Sequence, residues 1–369
     1  MMQTLYVELG VRSYPIYIGS GILEKLPDLL KKQGIKLTHP LLIVTDAQVD
    51  HHYGNRVQHL LEQAGYLVGK SVVPSGDKSK SLTVLEKLVT DALHFGLNRS
   101  GVVLALGGGM VGDLAGFLAA SYMRGVRFVQ IPTTLLAHDS SVGGKVAVNH
   151  PLAKNAIGAF HQPVAVVYDT STLKSLPVRE LTSGFAEVIK HGLIRDTKLL
   201  ALLQDKREPL LAIESPFIDE AILCGCRIKA EVVSHDEKEQ GLRAILNYGH
   251  TIGHAIEALA DFGRLSHGES IAIGMVGAAI VSERLGKVDG DTVKATRKLL
   301  AAYGLPTRLP HQFSEHEILT RMRHDKKNRS GQLVMVLPTA WGKVDVFSNI
   351  PDEIVLEVLN VLKCEEEMA

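Results

Sequence analysis

Near Pro177 the chain changes periodicity, and that change restricts the fold more than any other feature of it. Before it, short apolar runs (LLIVT at 41–45, VVLAL at 102–106, FVQI at 128–131, VAVVY at 164–168) alternate with helical patterns at 22–32, 57–64, 82–95 and 110–123. Such an alternation predicts an α/β domain with a Rossmann-like, largely parallel sheet covered by helices on both faces. Beyond it, amphipathic patterns at 179–194, 218–233, 247–259, 269–285 and 293–303 predict a mainly α-helical C-terminal domain. Runs at 333–337 and 343–347, divided by TAWG, predict a hairpin before a last helix at 352–363. At 369 residues the chain exceeds what one core accommodates, so two domains are expected, 1–175 and 176–369.

With 40 basic against 40 acidic residues and 46% hydrophobic content, nothing suggests disorder or a field that gathers nucleic acid, so a small-molecule partner is expected. Three cysteines, Cys224, Cys226 and Cys364, cannot form a disulfide framework, and Cys224-Gly-Cys226 lacks the second pair of a zinc ribbon. No apolar run reaches membrane-spanning length, and the first thirty residues carry charges where a secretory leader would be apolar. The expectation is a cytoplasmic protein with reduced thiols and no membrane partner.

The segment NYGHTIGH at 247–254 puts His250 and His254 four residues apart in a helical pattern, on one face, as a metal site needs. In the H-E-x-x-H metalloproteases a glutamate follows the first histidine as general base; here Thr251 stands there, so peptide hydrolysis is not expected. His267, expected in a loop before the next helix, offers a third nitrogen, and one oxygen ligand is still wanted. A lone histidine is better read as a capping or core residue; the cluster favours a divalent metal.

The strand at 102–106 runs straight into Gly107-Gly-Gly-Met-Val-Gly112-Asp113, a G-x-G-x-x-G pattern whose amides and helix N-terminus suit a pyrophosphate. By itself the pattern is weak, since three glycines also make an ordinary turn. It follows a late strand, and no acidic residue closes the next one near 132, which leaves Asp46 as the better partner for a ribose hydroxyl. A second loop, PSGDKSK at 74–80, sits at another strand end; alone it would read as a polar turn.

From Gly107 onward the motifs follow one another in a recognisable order. They are GGGMVGDLAG at 107–116, MRGV at 123–126, PTTLL at 132–136, DSSVGGK at 139–145, Lys154-Asn155, GFAEVIK at 184–190, Leu242-Arg243, the histidine segment, His267-Gly-Glu269 and Asp325-Lys-Lys327. Over nearly its whole length the chain resembles the 3-dehydroquinate synthase family of sugar-phosphate cyclases. That resemblance implies conversion of 3-deoxy-D-arabino-heptulosonate 7-phosphate to 3-dehydroquinate and phosphate. NAD is used and regenerated within each turnover, with zinc or cobalt as the metal. Oxidation acidifies the C–H beside the new ketone; phosphate elimination, return of the hydride and an intramolecular aldol closure follow. A homodimer is implied too.

By the same resemblance the metal ligands fall on Glu187, His250 and His267, with His254 beside them contacting substrate. The substrate anions would meet Arg124, Lys145, Lys190, Lys229, Arg243 and one of Lys326 and Lys327. Asn155, Asn247 and His254 would supply directional hydrogen bonds, and Asp139 is a further substrate-site position. The NAD positions would be Asp46, Ser75, Gly76, Asp77, Lys78, Ser79, Lys80, Gly109, Met110, Val111, Gly112, Asp113, Thr133, Thr134, Lys145, Lys154, Thr172, Leu173, Lys174 and Ser175. The chain departs from the family in having Asp77 where glutamate is usual, in Ala153 before Lys154-Asn155, and in the spacing around Asp139. Sister cyclases forming 2-deoxy-scyllo-inosose or valiolones, and metal-dependent polyol dehydrogenases, are the rival readings. A catalytically dead scaffold is disfavoured, because folding does not require a metal-ligand set and a cation cluster together.

Overall fold

The computed structural model describes residues 2–239, 241–260, 264–323 and 333–364. The chain forms two compact units, Met1–Pro177 with Ile213–Lys238, and Val178–Ala212 with Glu239–Ala369.

The first unit holds β1 (Gln3–Val7), β2 (Tyr14–Gly19), β3 (Leu41–Asp46), β4 (Val68–Val73), β5 (Val102–Gly107), β6 (Arg127–Pro132), a hairpin of β7 (Lys145–His150) and β8 (Ala153–Phe160), and β9 (Ala165–Asp169). Seven of these make one sheet in the order β1-β2-β9-β6-β5-β3-β4, parallel except where β1 pairs with β2. Every residue of β3, β5 and β9 is buried, which is why these strands read as unbroken apolar runs and not as alternations. Leu26, Leu29 and Leu61 cover one face of the sheet against Ile43, Leu104 and Val167, and Leu88, Leu114 and Leu118 cover the other against Val44, Val103 and Phe128. From β3 the chain winds outward to the edge strand β4, then crosses back to β5 and onward to β6 and β9. The winding reverses between β3 and β5, and a ligand crevice is expected at their carboxyl ends.

The helix Phe217–His235, expected with the C-terminal domain, belongs to this first unit and packs along β1 and β2. Thr170 Oγ1 donates to Asp219 Oδ1 at 2.6 Å, and Arg12 pairs with Glu237 at 2.5 Å. A helical period reports that a face is buried, not against what, so its partner was not readable. The β7–β8 hairpin was also missed. Its β8 strand, AKNAIGAF, is half-exposed or exposed throughout and carries little apolar signal, while Val146 of β7 packs on Gly116 of the helix Gly109–Ser121.

The second unit is mainly helical, with Val178–Arg195, His250–Leu259, His267–Arg284, Gly290–Ala302 and Asp352–Cys364 as its longer helices and one hairpin, β10 (Met335–Ala340) with β11 (Lys343–Phe347). His267, expected in a loop, instead opens a helix. A capping box fixes that start: Ser266 Oγ accepts from the Glu269 N–H at 3.3 Å and the Ser266 N–H donates to Glu269 Oε2 at 2.6 Å. Asn247, expected to begin a helix, closes the 3₁₀ turn Leu242–Asn247, and left-handed Gly249 (φ 77°) separates that turn from His250. Among the described residues no helix is long and apolar enough to cross a membrane.

Candidate metal centre and nucleotide-binding ridge

In the second unit three helices meet almost backbone to backbone. The Gly268 N–H donates to Ser183 Oγ at 3.0 Å, and a Cβ on Gly268 would run into the Ser183 main chain. Likewise a Cβ on Gly253 would lie 3.0 Å from the Ser270 carbonyl oxygen, so the helix His250–Leu259 also lies close against His267–Arg284. Glu187 sits one turn beyond Ser183. The crossings therefore bring Glu187, His250 and His267 together, with their ligand atoms within 4.8 Å of one another.

Glu187 Oε1 is 3.6 Å from His250 Nε2 and 3.5 Å from His267 Nε2, and its side chain is 1% exposed. Ligand atoms around a tetrahedral ion with bonds of about 2.1 Å stand about 3.4 Å apart. The spacing fits one ion. His250 Nδ1 lies 3.0 Å from the Tyr248 carbonyl oxygen, which can only accept, so Nδ1 carries the hydrogen and Nε2 turns its lone pair towards Glu187. Burial first, and then the Lys190 charge, hold the His250 imidazole well below its usual range. Burial would also lower His267, but hydrogen bonding and charge from Glu187 and Glu257 outweigh it and raise this histidine to about 9. Lys190, one turn along from Glu187 and equally buried, is ion-paired with it.

The other positions expected in this unit are spread around that centre. Arg243 is 1% exposed, in the 3₁₀ turn Leu242–Asn247. Asn247 Nδ2 donates to Glu239 Oε1 at 3.1 Å. His254 is exposed, its ring 5.0 Å from that of His250 and 5.9 Å from that of His267. Glu257, whose Oε2 lies 3.2 Å from His267 Nδ1, was missed, although it stands two helical turns after His250 on the same face. Lys326 and Lys327 lie outside the described residues.

In the first unit the expected nucleotide positions lie at the carboxyl ends of successive parallel strands: Asp46 closing β3, 75–80 after β4, 109–113 after β5, Thr133 and Thr134 after β6, 172–175 after β9. Asp46 is buried and accepts from the Gln48 N–H at 2.9 Å and from Ser75 Oγ at 2.7 Å. The helix Gly109–Ser121 begins with no side-chain cap, leaving its first amides open to an anion. Thr133 Oγ1 is buried and has no hydrogen-bond partner among the described residues. These are features a dinucleotide would complete.

Two glycines of this loop have a second reason. A Cβ would lie 2.7 Å from Val111 Cβ at Gly107 and 2.7 Å from Thr134 Cγ2 at Gly108, so close packing requires these two whatever is bound, whereas at Gly112 the nearest atom is Gln130 Oε1, at the end of a side chain that can shift. Lys80 pairs with Asp113 Oδ2 at 2.5 Å and also bonds to Asn155. Burial raises the Asp113 carboxyl, and the Lys80 charge opposes that. Asp77 accepts from Asn149 Nδ2 at 3.1 Å and pairs with Lys154 at 3.4 Å, tying its loop to the β7–β8 hairpin. Gly76 is left-handed at φ 100°, Lys78 is exposed and Ser79 Oγ bonds to the Pro74 carbonyl at 2.6 Å. Asp139 is paired with Lys229 at 3.0 Å, and Lys145 is exposed at the start of β7. Thr172 and Leu173 are buried, with Thr172 Oγ1 bonded to the Asp169 carbonyl at 2.8 Å, whereas Lys174 and Ser175 face outward. Arg124 is exposed beyond the C-terminal end of the helix Gly109–Ser121, about 20 Å of helix from Gly109.

The fold and these two constellations define a class: an α/β unit with a largely parallel sheet and a candidate nucleotide ridge, and a helical unit with a His₂Glu group at metal-binding spacing. Family models described as 3-dehydroquinate synthase N-terminal and 3-dehydroquinate synthase C-terminal match residues 70–183 and 184–328. A 3-dehydroquinate synthase from Desulforamulus reducens is 48% identical over 360 residues, which cover 97% of this chain and 100% of the relative. Among solved structures, 2-epi-5-epi-valiolone synthase from Streptomyces hygroscopicus subsp. jinggangensis, with NAD⁺ and Zn²⁺ bound, superposes with a TM-score of 0.87 at 25% identity, covering 96% of this chain and 97% of that one. A 2-deoxy-scyllo-inosose synthase complexed with carbaglucose-6-phosphate, NAD⁺ and Co²⁺ gives a TM-score of 0.84 at 27% identity, covering 97% of this chain and 99% of that one. The chain belongs to the 3-dehydroquinate synthase family.

Proposed function

We propose that the chain is a lyase that converts 3-deoxy-D-arabino-heptulosonate 7-phosphate to 3-dehydroquinate and inorganic phosphate, with NAD and a divalent metal, zinc or cobalt, as cofactors. The observation that carries the reading is the trio of buried Glu187 and His250 with half-buried His267, at one-ion spacing, in a chain of this family.

Glu187 Oε1, His250 Nε2 and His267 Nε2 would hold the metal, which when bound draws electron density from substrate hydroxyls and eases oxidation of one of them. Asp46 would hold a ribose hydroxyl, the helix N-terminus at Gly109 the pyrophosphate, and Thr133 Oγ1 a polar group of NAD, which accepts the hydride and returns it. Lys190, buried against Glu187, would balance the carboxylate and direct an N–H at substrate. Each unit by itself carries proposed substrate contacts. Asp139, Lys145, Asn155 and Lys229 belong to the first, with Asp139 orienting Lys229. Arg243, Asn247 and His254 join Lys190 in the second. Arginine and lysine suit the carboxylate and the phosphate, and the asparagines and His254 would fix the hydroxyls. Arg124, exposed beyond the end of the helix Gly109–Ser121, would supply a further cation for the substrate, and the family resemblance implies a homodimer. A cytoplasmic setting suits Cys224 and Cys226, which are not joined in a disulfide.

The test is phosphate release from 3-deoxy-D-arabino-heptulosonate 7-phosphate with catalytic NAD and added zinc or cobalt, while NADH absorbance is followed. Phosphate release without net NADH, abolished by a chelator, is the expected result. Turnover of glucose 6-phosphate or sedoheptulose 7-phosphate instead would move the chain to a sister cyclase, and accumulating NADH to a polyol dehydrogenase.

A further inference from the structure

Among the described residues of the second unit, two groups of three side chains have metal-binding spacing, and they share His267: Glu187, His250 and His267, and His254, Glu257 and His267. One imidazole donates a lone pair from one nitrogen at a time while the other carries a hydrogen. His267 places a carboxylate at each ring nitrogen, Glu187 Oε1 3.5 Å from Nε2 and Glu257 Oε2 3.2 Å from Nδ1. Which carboxylate is the ligand and which the hydrogen-bond acceptor is settled by the surroundings. The Glu187 side is closed off from water and has a second histidine, His250 Nε2, aimed into it with its tautomer fixed from behind. On the other side Glu257 is 14% exposed and His254 is open to solvent.

Building on the metal reading above, we propose that Glu257 is the positioning residue of the metal ligand His267: it accepts the Nδ1 hydrogen, fixes the ring's orientation and leaves Nε2 as the donor atom towards Glu187. His250 is held by a neutral backbone carbonyl, whereas His267 is held by a charged acceptor and is the stronger electron donor of the two. Glu257 also lies on the helix that supplies His250, so one helix furnishes one ligand and orients another.

The experiment is zinc affinity of the metal-stripped full chain, by competition with a chromophoric chelator, with bound zinc counted and far-ultraviolet circular dichroism recorded on the same samples. For Glu257→Ala the expected result is zinc bound about 10–100-fold more weakly with unchanged secondary structure. For Glu257→Gln, which keeps an acceptor oxygen, the expected loss is smaller, less than about 10-fold. His254→Ala should hold zinc as the parent does, at one ion per chain. Unchanged affinity in Glu257→Ala would overturn the proposal. So would a parent chain binding two ions of which both Glu257 variants and His254→Ala each lose one, because Glu257 would then be a ligand. A parent chain that binds no zinc at all would instead remove the metal reading on which the proposal stands.

Discussion

Replacing Gly268 by alanine tests whether helix contact sets the metal geometry. The new Cβ would have the Ser183 carbonyl oxygen as its nearest neighbour, with the carbonyl carbon at 2.6 Å and Cα at 2.7 Å. All three are main-chain atoms, so no side chain can swing aside. Carbon atoms in ordinary contact stand about 3.5–4.0 Å apart, and the helices Val178–Arg195 and His267–Arg284 must part by about 1 Å. His267 adjoins the substituted position and Glu187 lies one turn from Ser183, so their 3.5 Å separation opens towards about 4.5 Å, where one ion spans about 3.4 Å. Metal sites tolerate ligand displacements of about 0.2 Å. Zinc affinity should therefore fall at least about 100-fold, and the metal-free protein should lose roughly 1–3 kcal/mol by overpacking. Gly290→Ala is the control, because the atom nearest its Cβ, at 2.8 Å, is Glu283 Oε1 at the end of a flexible side chain. Chelator competition and urea unfolding measure the two quantities. A Gly268→Ala protein that holds zinc as tightly as the parent would refute the argument.

His267→Ala should abolish metal binding and turnover while circular dichroism stays that of the parent, since the side chain is 30% exposed and the Ser266–Glu269 box still caps the helix; unfolding would point to a purely structural role. Asp46→Ala removes the acceptor of the Gln48 and Val49 N–H groups and should cost about 1 kcal/mol. It should also weaken NAD binding, and a fluorescence titration that matches the parent would take Asp46 out of the ribose contact. Burial pushes the Cys226 thiol up to about 12, so at neutral pH it should resist thiol reagents until the protein is unfolded, as mass spectrometry of labelled peptides can show. The Glu237 carboxyl is held below its ordinary 4.5, chiefly by the Arg12 hydrogen bond, so the native state binds that proton less readily than the unfolded chain. The pair's stabilisation should be present above about pH 4.5 and disappear as pH falls through the lower native value. In urea unfolding series the Arg12→Met protein should lack that increment, and equal acid profiles for the two proteins would contradict the linkage.

Strands β3, β5, β6 and β9 were legible because both their faces are buried, so their composition is apolar whatever their neighbours. Edge strand β4, whose residues are mostly half-exposed, and the hairpin carrying Lys145 and Asn155 gave no such pattern. At the candidate metal centre the spacing pointed to His250 and His254, yet only His250 of that pair joins the group with His267 and Glu187, and Glu187, 63 positions before His250 in the chain, came only from resemblance. A ligand brought in by a helix crossing leaves no local periodicity. Glu257 was overlooked because one glutamate on an amphipathic helix looks like solvated surface, and only the distance to His267 Nδ1 distinguishes it. In the sequence the glycines at 107–112 suit a phosphate; that Gly107 and Gly108 are also needed for close packing is visible only with Val111 and Thr134 in place.

The return of the helix Phe217–His235 to the first unit bears on synthesis at the ribosome. The chain passes between the units three times, after Pro177, after Ala212 and after Lys238. A nascent chain that has emerged only as far as Pro177 holds every strand of the seven-stranded sheet but not the helix that packs along β1 and β2, nor Asp219 for Thr170 or Glu237 for Arg12. Domains generally fold as they emerge, N-terminal first. Here the N-terminal unit becomes complete only after Lys238 has cleared the exit tunnel, by which time the helix bearing Glu187 has already been made.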